Sequence, residues 1–301
     1  MPNHVKNRLS RTLLGVAVAA GLLTAGTAPA YAAPHPAPAP GQAAAVPADA
    51  ANAPQVLVPA AHVVDAETQQ VRFSKGADER RPVASLTKTM TAYTVLQQAE
   101  PTDKVEITAE DVRYAAKGGA SIAGLRAGDR LTVEELLYAL MLPSGADAAH
   151  ALARVYGPGV DAFVAKMNAN ARRLGMNDTR YVNADGMPYR GGGHSTARDQ
   201  VRLAQAALAD ATLRKITSTR EHSIPATAEH AAYTWRNTNR LLDTPGALGV
   251  KTGYTRAAGY TLAFAADRDG DLLVGVVLGA QDSGVRFQTA QALLDWADDN
   301  G

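Results

Sequence analysis

The hydrophobic pattern changes character along the chain. An apolar run from Leu13 to Leu23 follows three basic residues, Lys6, Arg8 and Arg11, and is short for a membrane span. Residues 34–54 are dominated by Ala and Pro, with no hydrophobic period, so they read as a linker. β-Branched runs at Val56–Val58 and His62–Asp65, ahead of Arg72-Phe73, predict opening strands. Leu86, Met90, Tyr93, Thr94 and Leu96 then recur at helical spacing. Leu131 to Met141 predicts a second helix, with Thr132 as N-cap and Glu135 three residues on, the pattern of a capping box. Pro143 ends it, Ala146 to Val155 restarts as a helix, and Phe163 to Leu174 is another, closed by Gly175. Toward the C-terminus Gly249–Gly253 reads as a strand end. Tyr260–Ala266 and Leu272–Gly279 read as apolar strands around a turn at Asp267–Gly270, and Val285–Trp296 as a final helix. The acidic turn lacks the closing glutamate of a calcium loop. Strands at both ends with helices between them predict one sheet assembled from distant segments.

The basic-then-apolar start, with small residues at Ala30 and Ala32, predicts a secretory signal over residues 1–32. An Ala/Pro-rich linker over 33–54 and one catalytic domain over 55–301 complete the expected organisation. The chain holds 30 Lys+Arg and 29 Asp+Glu. Cleavage after Ala32 removes three basic residues and leaves 27 against 29, a balance that does not point to nucleic acid. There is no cysteine, which excludes a thiolate nucleophile and leaves an exported fold to be held by packing alone. No Gly-x-Ser-x-Gly elbow occurs, and His150, His194, His222 and His230 show no metal-ligand spacing. The C-terminal residues are too polar and short to act as a membrane anchor.

Three short motifs carry the chemistry: Ser85-Leu86-Thr87-Lys88, Ser144-Gly145-Ala146 and Lys251-Thr252-Gly253. Together they supply a nucleophile, a lysine base, a second hydroxyl and a second cation, which suffices for acyl transfer without histidine. Ser85 at the head of a helix places Lys88 one turn away on the same face. A protonated lysine is no base, so Lys88 must be depressed by burial and by another cation, for which Lys251 is the candidate. Ser144 can pass a proton to a leaving amine, and Lys251 with Thr252 can hold a terminal carboxylate. Lys251 and Thr252 are adjacent, so on a regular strand they point to opposite faces unless a bulge intervenes.

In order and spacing these motifs resemble the serine penicillin-binding proteins and serine β-lactamases, and within them the low-molecular-mass D-alanyl-D-alanine carboxypeptidases. The resemblance runs from about Val58 to the C-terminus and includes Gly119-Ala120-Ser121, Asn183, Gly186, Ser195–Asp199 and Asn237-Thr238-Asn239. It implies an α/β (α+β) fold of the β-lactamase/transpeptidase type: an antiparallel sheet flanked by helices, with an additional helical lobe. It implies Ser85 as acyl-ester nucleophile, with the backbone N–H groups of Ser85 and Tyr254 as oxyanion donors beside Gly253. The expected substrates are peptidoglycan stem peptides ending in D-Ala-D-Ala, and β-lactams are the expected inhibitors. The implied protein is a cell-wall-associated, exported monomer without cofactor or metal.

One departure stands out: the family's middle motif is usually Ser-x-Asn, and here Ala146 replaces the asparagine. Three other functions use the same parts. A D,D-transpeptidase differs only in the acceptor. A serine β-lactamase would add a deacylating glutamate, but Glu221 and Glu229 lie in no Glu-x-x-Leu-Asn segment. A catalytically weak penicillin- or peptidoglycan-binding module would owe its weakness to Ala146.

Overall fold

The computed structural model describes residues 53–188 and 192–300. The expected signal, 1–32, and nearly all of the expected linker lie outside the described residues. Strands β1 (Ala60–Asp65) and β2 (Val71–Lys75) lead through a 3-10 turn, Ala84–Leu86, into α1 (Thr87–Leu96). Then come β3 (Lys104–Glu106), α2 (Ala109–Ala115), β4 (Arg130–Thr132), α3 (Val133–Met141), α4 (Ala146–Tyr156) and α5 (Val160–Arg173). Helices α6 (Ala197–Ala209) and α7 (Ala211–Ser218) precede the hairpin β5 (Glu221–Ile224) and β6 (Tyr233–Arg236). The chain closes with β7 (Ala247–Thr255), β8 (Gly259–Arg268), β9 (Asp271–Ala280) and α8 (Ser283–Asp299).

The main sheet has the order β2-β1-β9-β8-β7, antiparallel throughout, so the first strands pair beside the last. Period-2 alternation gives it two apolar faces. Ala61, Val63, Leu262, Phe264, Leu273 and Val277 face α8, where Ala290, Leu293, Leu294 and Ala297 receive them. Ala263, Ala265, Val274, Val276 and Leu278 turn the other way, onto Val201, Ala204 and Leu208 of α6. A separate core, built from Met90, Leu136, Leu137, Leu140, Leu152, Phe163 and Met167 among others, fills the helical lobe. This is the architecture the motif resemblance implied.

Local signals held where they had a physical cause. The Thr132 hydroxyl accepts from Glu135 N while the Glu135 carboxylate accepts from Thr132 N, so α3 starts just after this cap and Leu131 belongs to β4. Gly175 closes α5 with φ of +70°. The turn after β8 is tighter than expected. Asp269 and Gly270 alone make it, both at positive φ, with Arg268 paired to Asp271. Two readings are corrected. Val56–Val58 is not a strand: Pro54 and Pro59 bracket it, Val56 and Val58 are buried, and Leu57 is 82% exposed. Gly249–Gly253 is not a strand end but the interior of the nine-residue β7, which β8 pairs along its length.

Phe264 lies directly opposite Gly275, and a Cβ built on Gly275 would collide with its ring, 2.6 Å from Cε2. We expect Gly275→Ala to cost about 1–3 kcal/mol. Phe264→Leu in the same chain should recover much of it, read as paired shifts in thermal melting.

Candidate active site

Three segments carry the motif residues: two meet at Ser85, and the third is tied to β7 through Thr238. The first is the turn of Ser85 itself. Ser85 is half-buried in the 3-10 turn that runs into α1, and Lys88, in the first turn of α1, directs Nζ to Ser85 Oγ at 3.1 Å. The Lys88 ammonium also donates to the backbone carbonyl of Asp185 at 2.8 Å. Ala84 before the nucleophile has φ of +50°, an uncommon conformation for a residue with a Cβ. Gly186 allows this close approach, because a Cβ there would overlap the Ala84 carbonyl oxygen. Asn183 fixes the supporting loop, accepting from Gly186 N and donating to the Met187 carbonyl.

The second segment is β7. A Cβ at Gly253 would stand 2.9 Å from Ser85 N, 3.1 Å from the Val83 carbonyl oxygen and 2.5 Å from Thr261 Oγ1. The strand's backbone therefore lies against the backbone of the nucleophile's turn, a distance only glycine permits. Pairing with β8 is regular from Gly249 to Thr255, and the register shift falls upstream, between Ala247 and Gly249. There is thus no bulge at the motif, and Lys251 and Thr252 alternate in the ordinary way, both buried. Lys251 Nζ donates to the Thr252 carbonyl, and Thr252 Oγ1 shares a hydrogen bond with Thr238 Oγ1 at 2.6 Å. Tyr254 follows, half-exposed, its ring 4.4 Å from that of Tyr260.

The third segment brings Ser144 to the head of α4. Its φ is +67°, its Oγ is buried, and that oxygen makes no hydrogen bond to the described residues. Thr238 N donates to the Leu142 carbonyl, so Thr238 ties this loop to Thr252 on β7. Ala146 is fully buried, and its N–H donates to the Ser121 carbonyl. Asp147 does not replace the missing asparagine: its carboxylate accepts from Ala123 N, Leu125 N and Ala148 N and fixes the neighbouring loop.

Burial is the main force on the two lysines. It brings Lys88 down to about 8, against the charges of Asp185 and Asp147, which favour the ammonium. Lys251 lies well below its ordinary value, first through burial and then through the charges of Lys88 and Arg286. The repulsion between the two lysines is mutual, so each disfavours the charged form of the other. Between about pH 8 and 10.5 the unfolded chain keeps a proton on Lys88 that the folded chain has released. Stability therefore rises with pH through that window, and the full cost of burying this lysine is carried below pH 8.

Sequence reasoning missed Arg286. It is buried on α8 and its Nη1 donates to the carbonyls of Gly253 (2.9 Å) and Thr261 (3.2 Å). The Gly253 carbonyl and the Tyr254 N–H belong to one planar peptide, so holding the first orients the second. A signal was present: Arg286 falls on the same helical stripe as Ala290, Leu293 and Ala297, where a charge must have a buried partner.

Comparison with solved structures defines the class. The fold matches the crystal structure of the Streptomyces K15 DD-transpeptidase with a TM-score of 0.77 at 36% identity, over 81% of this chain and 98% of that one. It matches a D-alanyl-D-alanine carboxypeptidase from Mycobacterium tuberculosis H37Rv with a TM-score of 0.77 at 32% identity, over 84% and 95%. Residues 47–282 match the D-alanyl-D-alanine carboxypeptidase family, and the chain belongs to that family. A D-alanyl-D-alanine carboxypeptidase of Streptomyces sp. strain K15 is 34% identical over 96% of this chain and 98% of its own length. A carboxypeptidase of Bacillus subtilis is 32% identical over 78% of this chain, which spans 60% of that longer relative.

Gly253→Ala should push β7 away from Ser85. We expect acylation by benzylpenicillin to slow by about 100-fold, the order seen when an oxyanion donor is lost. The melting temperature should fall by no more than a loss of about 1–3 kcal/mol from overpacking implies, leaving the chain folded, which separates misplacement of the strand from unfolding.

Proposed function

We propose that this chain is an exported serine-type D-Ala-D-Ala carboxypeptidase that trims peptidoglycan stem peptides. The observation that carries the reading is the 3.1 Å contact between buried Lys88 Nζ and half-buried Ser85 Oγ at the head of one helix, with the backbone of β7 against it. Ser85 Oγ attacks the carbonyl of the penultimate D-Ala, and neutral Lys88 takes its proton. The N–H groups of Ser85 and Tyr254 stabilise the oxyanion, helped by the positive end of α1. Thr252 holds the terminal carboxylate from its face of β7, and Lys251, alternating to the other face, acts on it through its charge. As the tetrahedral intermediate collapses, Ser144 gives its proton to the departing D-Ala amine and receives in its place the one held on Lys88. Water then attacks the acyl-enzyme and releases the shortened peptide and free Ser85. β-Lactams acylate the same serine, since they present a strained amide beside a carboxylate. The nucleophile, base, shuttle and donors are all protein groups, so the mechanism calls on no metal or cofactor.

The basic-then-apolar N-terminus supports export, with a signal over 1–32, a linker over 33–54 and a catalytic domain from 55. Among the described residues no helix is long and apolar enough to cross a membrane. The reading is of a monomer working at the cell wall. The likeness to a DD-transpeptidase over 98% of that chain favours a second reading, in which an amine takes the place of water as acceptor.

Intact-mass spectrometry after incubation with benzylpenicillin tests the proposal. A one-to-one adduct that disappears in Ser85→Ala, followed by D-Ala release from a D-Ala-D-Ala peptide, is the expected result. Intact drug with no adduct would leave an inert binding module, and hydrolysed drug with no adduct would indicate a β-lactamase. Ala146→Asn should raise kcat/KM for the peptide by about tenfold, the value of one hydrogen bond next to a charge. An unchanged value would show that the substrate is oriented without this position.

A further inference from the structure

Lys88 has a second partner whose side chain the mechanism does not use. Asp185 gives its backbone carbonyl to Lys88 Nζ, while its carboxylate, on a residue only 1% exposed, turns elsewhere. Oδ2 accepts from the Tyr114 hydroxyl at 3.0 Å and Oδ1 from Met187 N at 3.1 Å. Tyr114 is itself fixed. Its ring stacks on His150 with centroids 4.4 Å apart, and His150 Nδ1 meets Asp111 Oδ1 at 2.6 Å. Arg154 and the capping Thr108 hold the other side of Asp111. Helices α2 and α4 thus fix the direction of a carboxylate on the loop that receives the lysine.

Among the described residues the Asp185 carboxylate forms no salt bridge. A buried carboxylate without its own cation acts on the nearest one. The charged groups that face Lys88 are Asp185 on this loop, Asp147 on α4 and Lys251 on β7. Asp147 is committed to three backbone N–H groups, and Lys251 repels. Asp185 is the one whose own backbone also touches the ammonium.

We propose that Asp185, oriented by Tyr114, is a positioning residue that holds the Lys88 ammonium against Ser85 and sets the pH at which Lys88 can accept the serine proton. This rests on the reading of Lys88 as the base. The carboxylate favours the charged lysine and burial disfavours it, and their balance fixes the acid limb of acylation. Removing the charge shifts the balance toward neutral lysine, so the limb moves to lower pH.

The test is the rate of Ser85 acylation by benzylpenicillin, followed by intact mass from about pH 5 to about pH 10, for the wild type, Asp185→Asn and Tyr114→Phe, with melting curves to establish folding. Asp185→Asn keeps an acceptor for Tyr114 and removes the charge, and its acid limb should fall by about 1 pH unit. Tyr114→Phe keeps the charge but frees the carboxylate. Its limb should stay near the wild-type position while the plateau rate drops by about 3- to 10-fold. A folded Asp185→Asn whose limb coincides with the wild type overturns this proposal and leaves the proposed function intact. So does a Tyr114→Phe profile superimposable on the wild type, which covers the case in which Asp185→Asn fails to fold. Absence of a Ser85 adduct in the wild type at every pH overturns both.

Discussion

The site depends on a backbone-to-backbone contact between the turn that carries Ser85 and strand β7 at Gly253. No side chain separates them, and a single methyl group at Gly253 would meet Ser85 N, the Val83 carbonyl and Thr261 together. The other features of the site support this contact. Arg286 holds the Gly253 carbonyl from α8, Thr261 Oγ1 donates to the Val83 carbonyl from β8, and Thr238 secures Thr252. Gly186 lets Ala84 adopt its unusual φ on the far side of the turn. The nucleophile's turn is thus gripped between a sheet and a loop, which fix its backbone, while the helix sets Lys88 one turn away.

That arrangement is expensive. Lys88 and Lys251 are buried with almost no exposure, and Arg286 is 7% exposed. Each disfavours the folded state to the extent that its charge is not matched by carbonyls and carboxylates. The Ser144 backbone, at a φ of +67°, adds strain. The compensation comes from elsewhere, through two apolar faces on one sheet and a separate helical core. Division of labour of this kind is expected where function requires a locally unfavourable arrangement.

The legible part of the fold was the part with strong local causes. The capping box at Thr132, the stop at Pro143 and the closing Gly175 each act through neighbouring backbone groups, and each marked its boundary. The long strands β8 and β9 were visible because both their faces are covered, which makes them apolar throughout. The short pieces were not legible. Strands β3 and β4 have three residues each, too few for alternation to register, and the hairpin of β5 and β6 reads as exposed, mixed sequence. The Val56–Val58 run looked like a strand because β-branched residues suit one, yet its flanking prolines keep it out of the sheet.

The sequence by itself determined which chemical groups are available, their order, and the one-turn spacing that sets Lys88 beside Ser85, because a helix fixes that distance locally. Its resemblance to the family also marked Ala146 as standing where an asparagine is usual. Only the tertiary structure decided which groups surround the lysines. Asp185 lies 97 positions from Lys88, and Arg286 lies 33 from Gly253. The depth of burial and the balance of charge around a side chain are sums over neighbours from distant segments. No local spacing encodes them until the helical lobe and the sheet have closed on each other.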